Sequence, residues 1–465
     1  MHNRPARVHP YIPNSVPEVR AAMLGAVGAA DVEEFYADIP EHLRLRRDLD
    51  LPPPLTSEHE LVRHMEGLLN GNRSTRETLS FLGAGCYQHA VPAVCDEVNS
   101  RSEFLTAYAG EPYEDHGRFQ ALWEYASMMG ELLELDVVNV PTYDGFQASA
   151  TALRMAARYT GRRRVLLAGA VNPDKRSKIL DYCAPDLDVE VVPYDPATGG
   201  VDVAAVRDAI GPDVAAIYHD TPSYLGVIET AGAELAELAH GAGALAVVGT
   251  EPNMLGVVAS PARQGADIVC GDIQSLGMHQ QFGGGHAGFI ASRDEERLVM
   301  EYPSRLFGIA PTSVEGEYGF GDVAYERTSF ALREEGKEWV GTAAALWGIT
   351  AGVYLALMGP QGMTELGEGI MARTRYAMER LAAVPGVRIP FRERPHYREF
   401  AVDLSGTRRP VAEIQRAMLD RDIHLGVDLS RAHPELGAAV LVCVTEVHAQ
   451  ADIDRLASTL AEVLA

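Results

Sequence analysis

Lysine is nearly absent: the 465 residues contain three, Lys175, Lys178 and Lys337. Chemistry that needs a side-chain primary amine, such as imine formation with an aldehyde, is confined to those positions. Cysteine is sparse as well. Cys86, Cys95, Cys183, Cys270 and Cys443 are odd in number, scattered and free of any close C-x-x-C pair. That excludes a disulfide framework and a cysteine zinc site, and it fits a reducing cytoplasm. No H-x-x-x-H spacing occurs, so no metal is expected, and no nucleophile-elbow pattern occurs either. An uninterrupted apolar run of about 18 residues, the length that spans a bilayer, is missing, and the polar start lacks the apolar segment of an export signal. Basic residues are outnumbered 40 to 65, for a formal charge of −25, which repels phosphate backbones and anionic lipid and excludes nucleic-acid and membrane partners.

What is present is ample apolar material, 47% of the chain, enough for a large α/β domain with smaller companions. Residues 1–80 read as a polar, helical N-terminal arm, with Asp31–Phe35 and Glu58–Val62 opening helices and Pro52-Pro53-Pro54 as a stiff spacer. Residues 81–340 read as a large α/β domain. A helix from about Gly117 carries Leu122, Met129 and Leu133 at core spacing. Short apolar runs follow, around Val165–Ala168, Val189–Val192, Val214–Ile217, Ala244–Val248 and Ala266–Val269, alternating with helical segments. This rhythm predicts a mainly parallel sheet covered on both faces, with ligands at the strand carboxyl ends. Residues 341–465 read as a small α+β domain, with strands at Arg398–Leu404 and Ala438–Val444 and a helix from Asp452.

Candidate site residues gather at the ends of these runs. Thr142, Tyr143, Asp144 and Gly145 precede a helix whose N-terminus either receives an anion or is simply capped. His219–Gly226 is a polar turn after a strand, and Glu251 follows the next one. His279 and His286 flank Gly283, Gly284 and Gly285, where backbone can approach a ligand closely. Upstream, Phe81–His89 and Thr106–Gly117 are glycine-punctuated loops dense in Tyr, His, Glu and Asp. Such loops belong to an active-site or subunit-interface surface, or are ordinary loops.

These blocks, in their shared order, resemble the P-protein of the glycine cleavage system, and within that family the α chain of the two-chain bacterial form. The resemblance runs from His9-Pro10-Tyr11-Ile12-Pro13-Asn14 through Phe81–His89 with Pro92, Arg101–Tyr108, Tyr143-Asp144-Gly145, Gly265–Val269, Gln274–Gly277 with Phe282-Gly283-Gly284, to Val444-Thr445-Glu446. It implies a pyridoxal-phosphate transferase fold of the aspartate-aminotransferase type (fold type I). In that fold a lysine just before the glycine-rich turn anchors the cofactor, and an acid near Glu251 faces the pyridine nitrogen. No lysine is there; Gly277 or a neighbour takes its place.

The resemblance therefore implies half of an active site. A lysine-bearing β-like subunit would hold pyridoxal phosphate, decarboxylate glycine and pass the aminomethyl group to a lipoyl carrier of the H-protein kind. This chain would wall the cavity, with His89, Tyr108, Tyr113 and His116 as the residues reaching it, in an assembly of two αβ units. Departures from the family pattern are concentrated at Ala109–Gly117, His219–Gly226 and Arg333–Thr342, where Glu335 and Trp339 alter charge and volume. They open a second expectation, a paralogue acting on another small amino acid or acceptor. A third is a non-catalytic scaffold for the β-like partner. A fourth is a self-sufficient enzyme using Lys175 or Lys178, which otherwise solvate a helix start or bind an anion.

Overall fold

The computed structural model describes residues 8–9, 11–47, 49–105, 116–341 and 344–465. The chain forms two compact units, Met1–Asn72 and Arg73–Ala465. In the first, Pro17–Ala26 and Glu58–Leu69 are α-helices joined by short 3-10 turns, and neither helix buries a residue. Ser57 caps the second by accepting from Glu60 N at 3.4 Å.

The second unit is built on a seven-stranded sheet. In chain order its strands are β1 (Val137–Val138), β2 (Arg164–Ala168), β3 (Asp188–Val192), β4 (Val214–Thr221), β5 (Leu245–Thr250), β6 (Ile268–Asp272) and β7 (Gly288–Ser292). They lie in the order β1-β7-β6-β5-β4-β2-β3. Neighbours from β6 through β3 are parallel, whereas β7 runs antiparallel to both β6 and β1. The sheet is thus mainly parallel, as the spacing of apolar runs predicts. The antiparallel strand was hidden in the sequence by the glycine-rich run that leads into it. Strand order reverses between β2 and β4, the point at which α/β sheets open a crevice.

Three helices matter for the site. The first, α1 (His116–Leu133), buries Leu122, Met129 and Leu133. The second, α2 (Gly145–Thr160), crosses the sheet; Asp144 is its N-cap and Gly161, at φ 68°, ends it. Its Ala148, Leu153 and Met155 are fully buried against Val165, Leu167 and Tyr218 of the sheet. The third, α3 (Pro173–Cys183), starts with Pro at its first position and Asn172 accepting from Asp174 N and Lys175 N. The Asn172 amide donates in turn to Ala84 O at 2.8 Å, fastening the Gly83–Tyr87 loop beside this helix.

A long helix, α4 (Ala345–Ala382), is broken at Gly359-Pro360, where a left-handed glycine precedes a proline that has no N–H to give. Its second half packs on a three-stranded antiparallel sheet, β8 (Glu399–Asp403), β9 (Val427–Asp428) and β10 (Ala439–Cys443), ordered β8-β10-β9. Helix α5 (Gln450–Leu464) closes this layer with Ile453, Leu456 and Leu460. Leu79–Ser80, assigned to the arm by the sequence reading, instead pairs in parallel with Ile423–His424, because an apolar segment there completes the small-domain core.

Candidate functional site

A cavity of about 370 Å³ lies at the carboxyl ends of the parallel strands, lined by the loops after β2, β4, β5 and β6, by the start of α2, by Ala84–Tyr87 and by Arg398 and Glu399 at the start of β8. Five charge pairs or hydrogen-bonded acid partners surround it. Lys175 Nζ meets Asp220 Oδ1 at 2.6 Å. Lys178 Nζ meets Asp144 Oδ2 at 2.8 Å. His286 Nδ1 lies 3.1 Å from Asp272 Oδ2. Arg398, 3% exposed, donates from Nη2 to Glu251, and Tyr87 OH donates to Glu399 at 2.8 Å.

The Arg398 guanidinium is the centre of the small-domain side. It lies 3.3 Å over the Tyr87 ring, a cation–π contact out of water, and its Nη1 is 3.1 Å from His89 Nε2. His89 Nδ1 is held at 2.9 Å by Glu446, whose carboxyl sits below its usual range: burial opposes that most strongly, and the hydrogen bond and charge of His89 with the backbone N–H groups of Ala90 and Glu446 together outweigh it. Burial works against the Arg398 charge more than any single neighbour favours it, and Glu251 together with Tyr87, Glu399 and Cys443 more than restores it. Glu399 has the reverse balance, its carboxyl pushed up by burial.

The helix start at Gly145 has no free cradle for a phosphate. Gly145 N donates to Asp272 Oδ2 at 2.8 Å, Gln147 N to Asp144 Oδ1 at 2.6 Å and Tyr143 N to Gln147 Oε1 at 3.1 Å. A Cβ on Gly145 would sit 2.8 Å from Asp272 Cβ, so glycine is what lets the carboxylate in. Thr142 is fully buried and donates to Asp144 O. Tyr143 OH reaches Gly341 O.

Glu251 is already partnered: besides Arg398 it takes the Ser275 hydroxyl. Gly277, in the turn where the resemblance expects a lysine at it or a neighbour, has φ 88°, and a Cβ there would lie 2.8 Å from Cys95 Sγ. With no lysine at the turn, carboxylates in the place of a phosphate, and the acid after β5 already neutralised by arginine, these residues do not fit pyridoxal phosphate.

Among the sequence-predicted residues, Asp144, Gly145, Glu251, Gly283 and His286 line the cavity. His89 is enclosed behind Arg398, with its side chain 2% exposed. His279 is on the outside, paired with Asp96 at 3.0 Å. Tyr108 and Tyr113 lie outside the described residues, as does the side chain of His116. Lys175 is the correction: it does not solvate a helix start but is 8% exposed inside the cavity. Sequence reasoning passed over Asp272, Arg398 and Glu399, and held Asp220 only as part of the His219–Gly226 turn. For Arg398 and Glu399 the signal was there, two adjacent charges ahead of the apolar run Phe400-Ala401-Val402.

The fold and site define a pyridoxal-phosphate-type α/β protein of the aspartate-aminotransferase class whose own cavity is closed to that cofactor. Sphingosine-1-phosphate lyase of Burkholderia pseudomallei shares the fold, with a TM-score of 0.65 at 17% identity over 90% of this chain and 92% of that one. The model of the glycine cleavage system P-protein family matches residues 9–460, and the chain belongs to that family. Relatives named probable glycine dehydrogenase (decarboxylating) subunit 1 include those of Moorella thermoacetica and Staphylothermus marinus. The first is 37% identical over 456 residues, covering 98% of this chain and 100% of the relative. The second is 34% identical over 465 residues, covering 98% of each. The solved glycine decarboxylase (P-protein) of the glycine cleavage system, in inhibitor-bound form, matches with a TM-score of 0.83 and 33% identity, over 98% of this chain and 100% of that one.

Proposed function

We propose that this chain is the lysine-free subunit of a two-chain glycine-decarboxylating enzyme, and that a β-like partner supplies both the anchoring lysine and pyridoxal phosphate. When bound there, the cofactor serves as the electron sink for loss of carbon dioxide from glycine, and the aminomethyl group goes to a lipoyl carrier. This chain walls the shared site and excludes water from it, with Tyr108, Tyr113, His116 and the Gly283–His286 loop as its contribution, in a cytoplasmic assembly of two αβ units. The observation that supports the reading is the turn from Gln274 to Gly277, which carries no amine in a chain whose relatives are named for one of two subunits.

The test is absorption spectroscopy with pyridoxal phosphate. The lone chain is expected to give no internal-imine band near the visible edge and no exchange of the glycine carboxyl with carbon dioxide. Co-expression with a lysine-bearing homologue is expected to create both. A band and turnover on the lone chain would overturn the assignment.

One observation favours a scaffold as a second reading. Lys175, Lys178, His286 and Arg398 in and around the cavity are each neutralised by a carboxylate of the chain itself. Replacing Tyr113 and His116 together separates the two: turnover of the assembled complex falls if this chain shapes the shared site and is unchanged if it only stabilises the partner. A retuned paralogue is favoured by the Arg333–Thr342 segment. There Trp339 stands edge-on to Phe330 with ring centroids 4.5 Å apart, and Glu338 ties to Arg154, Arg158 and Tyr182. Turnover of alanine or serine exceeding that of glycine identifies it.

A further inference from the structure

The first compact unit, Met1–Asn72, has no core of its own. None of its described residues is buried, yet it holds nineteen of the thirty-four large apolar side chains that the described residues expose. Polar ties give it local order instead. Arg44 Nη2 meets Glu33 at 2.8 Å, Arg46 Nε meets Glu41 at 2.8 Å, and Ser15 holds a turn by accepting from His9 N at 2.8 Å and donating to His9 O at 3.1 Å. That turn carries Tyr11, 96% exposed. The helix Glu58–Leu69 has a sharper pattern. Leu61, Val62, Met65, Leu68 and Leu69 fall on one stripe of about 120°, each between 44% and 59% exposed, while Glu60, Arg63, His64 and Glu66 take the other side.

An exposed apolar stripe on an ordered helix is one half of a helix-in-groove contact. Charge and family together say what covers it. A membrane surface is excluded, because the polar side of the helix carries Glu60 and Glu66 against Arg63, and helices that lie on bilayers have the reverse balance. A second copy of this chain is disfavoured by the formal charge of −25 that each copy would bring. The family match begins at His9, and relatives named for one of two subunits align with 98% of this chain, so the coreless unit is part of what those relatives share. Its nineteen exposed apolar side chains also approach the roughly 20–30 residues that one side of a stable protein–protein interface supplies.

We propose that the Met1–Asn72 unit is the docking arm for the β-like subunit, with the stripe of Leu61, Met65 and Leu68 laid in an apolar groove of that partner and Tyr11 as a second anchor. The arm serves the two-chain assembly proposed above, on which its assignment rests. Tyr11 suits an anchor because its ring is large and stiff, and the ties between His9 and Ser15 already hold its turn, so little freedom is lost on docking. Glu60 and Glu66 set the rim: a basic edge on the partner's groove complements them and steers the approach.

The full-length chain is co-expressed with a lysine-bearing homologue, and sedimentation gives the dissociation constant of the pair for the wild type, for Tyr11→Ala and for Leu61→Ser with Met65→Ser. Each variant is expected to weaken the pair at least about tenfold. Each should leave the melting temperature of the lone chain unchanged, because these side chains are exposed in it. A wild-type chain that does not pair at all overturns the two-chain reading and the docking arm with it. Wild-type pairing that either variant leaves as tight overturns the arm alone. A variant that lowers the melting temperature of the lone chain places the face against the chain's own body, and self-association of the lone wild type that the variants abolish assigns it to a second copy; either result overturns the proposal.

Discussion

Lys175 Nζ and Asp220 Oδ1 are 2.6 Å apart across the point where the order of the large sheet reverses. The lysine comes from the helix after β2 and the aspartate from the end of β4, and each side chain is 11% exposed. Removing one partner leaves an uncompensated charge in low dielectric, at a cost of about 3 kcal/mol. Lys175→Met is therefore expected to lower the urea midpoint sharply, and Lys175→Met with Asp220→Asn to recover about half of the loss. A single variant as stable as the wild type would mean that the pair is solvated in the folded chain.

Arg398 and Glu251 make the same argument on the other wall. Arg398→Met leaves Glu251 with the Ser275 hydroxyl as its remaining side-chain partner and removes the cation over Tyr87, so the expected loss is about 3–5 kcal/mol. Adding Glu251→Gln should return much of it. Chemical denaturation of the two variants and their combination measures the coupling.

Both pairs show where sequence reading stops. The strands were legible because four or five apolar residues between helical segments have few other ways to bury themselves, and α2 and α3 announced their starts through Asp144 and Asn172. The missing lysine was legible as a bare fact. The pairs were not, since Lys175 and Asp220 are 45 residues apart and Arg398 and Glu251 are 147 apart. Nothing in the polar helix start Pro173-Asp174-Lys175-Arg176-Ser177-Lys178 marks one of its two lysines as buried; that follows only once β2 and β4 are neighbours. The break at Gly359-Pro360 was not read from the sequence either.

His286 fixes the sign of a pH effect. Its folded pKa of about 10 lies above the roughly 6.5 of an unfolded imidazole. The stabilisation from its charge is complete below about 6.5 and is lost as pH rises through about 10. The difference in unfolding free energy between the wild type and His286→Gln should accordingly shrink from pH ~6 to pH ~10. His396, pushed down to about 4 by burial, has the opposite sign: its contribution is present above about 6.5 and disappears as pH falls toward 4. Urea titrations at a series of pH values, with His396→Asn for the acid limb, check both.

Restoring the lost amine is the remaining prediction, and Gly277 decides it. Its φ of 88° lies where a side chain adds about 1–2 kcal/mol of strain, and a Cβ would meet Cys95 Sγ at 2.8 Å and Tyr354 at 3.1 Å. Crowding of a packed core adds about 1–3 kcal/mol. Gly277→Lys is therefore expected to lower the melting temperature and to bind no pyridoxal phosphate. The reason is not the turn alone, because Asp272 and Asp144 still fill the α2 N-terminus where a phosphate would have to sit. The triple variant Gly277→Lys, Asp144→Ser, Asp272→Asn removes that second obstacle, but it also strips the countercharge from Lys178 and His286. If the single variant gains an internal-imine band in the presence of pyridoxal phosphate, the turn is more open than the Gly277 geometry allows and the carboxylates do not bar the cofactor.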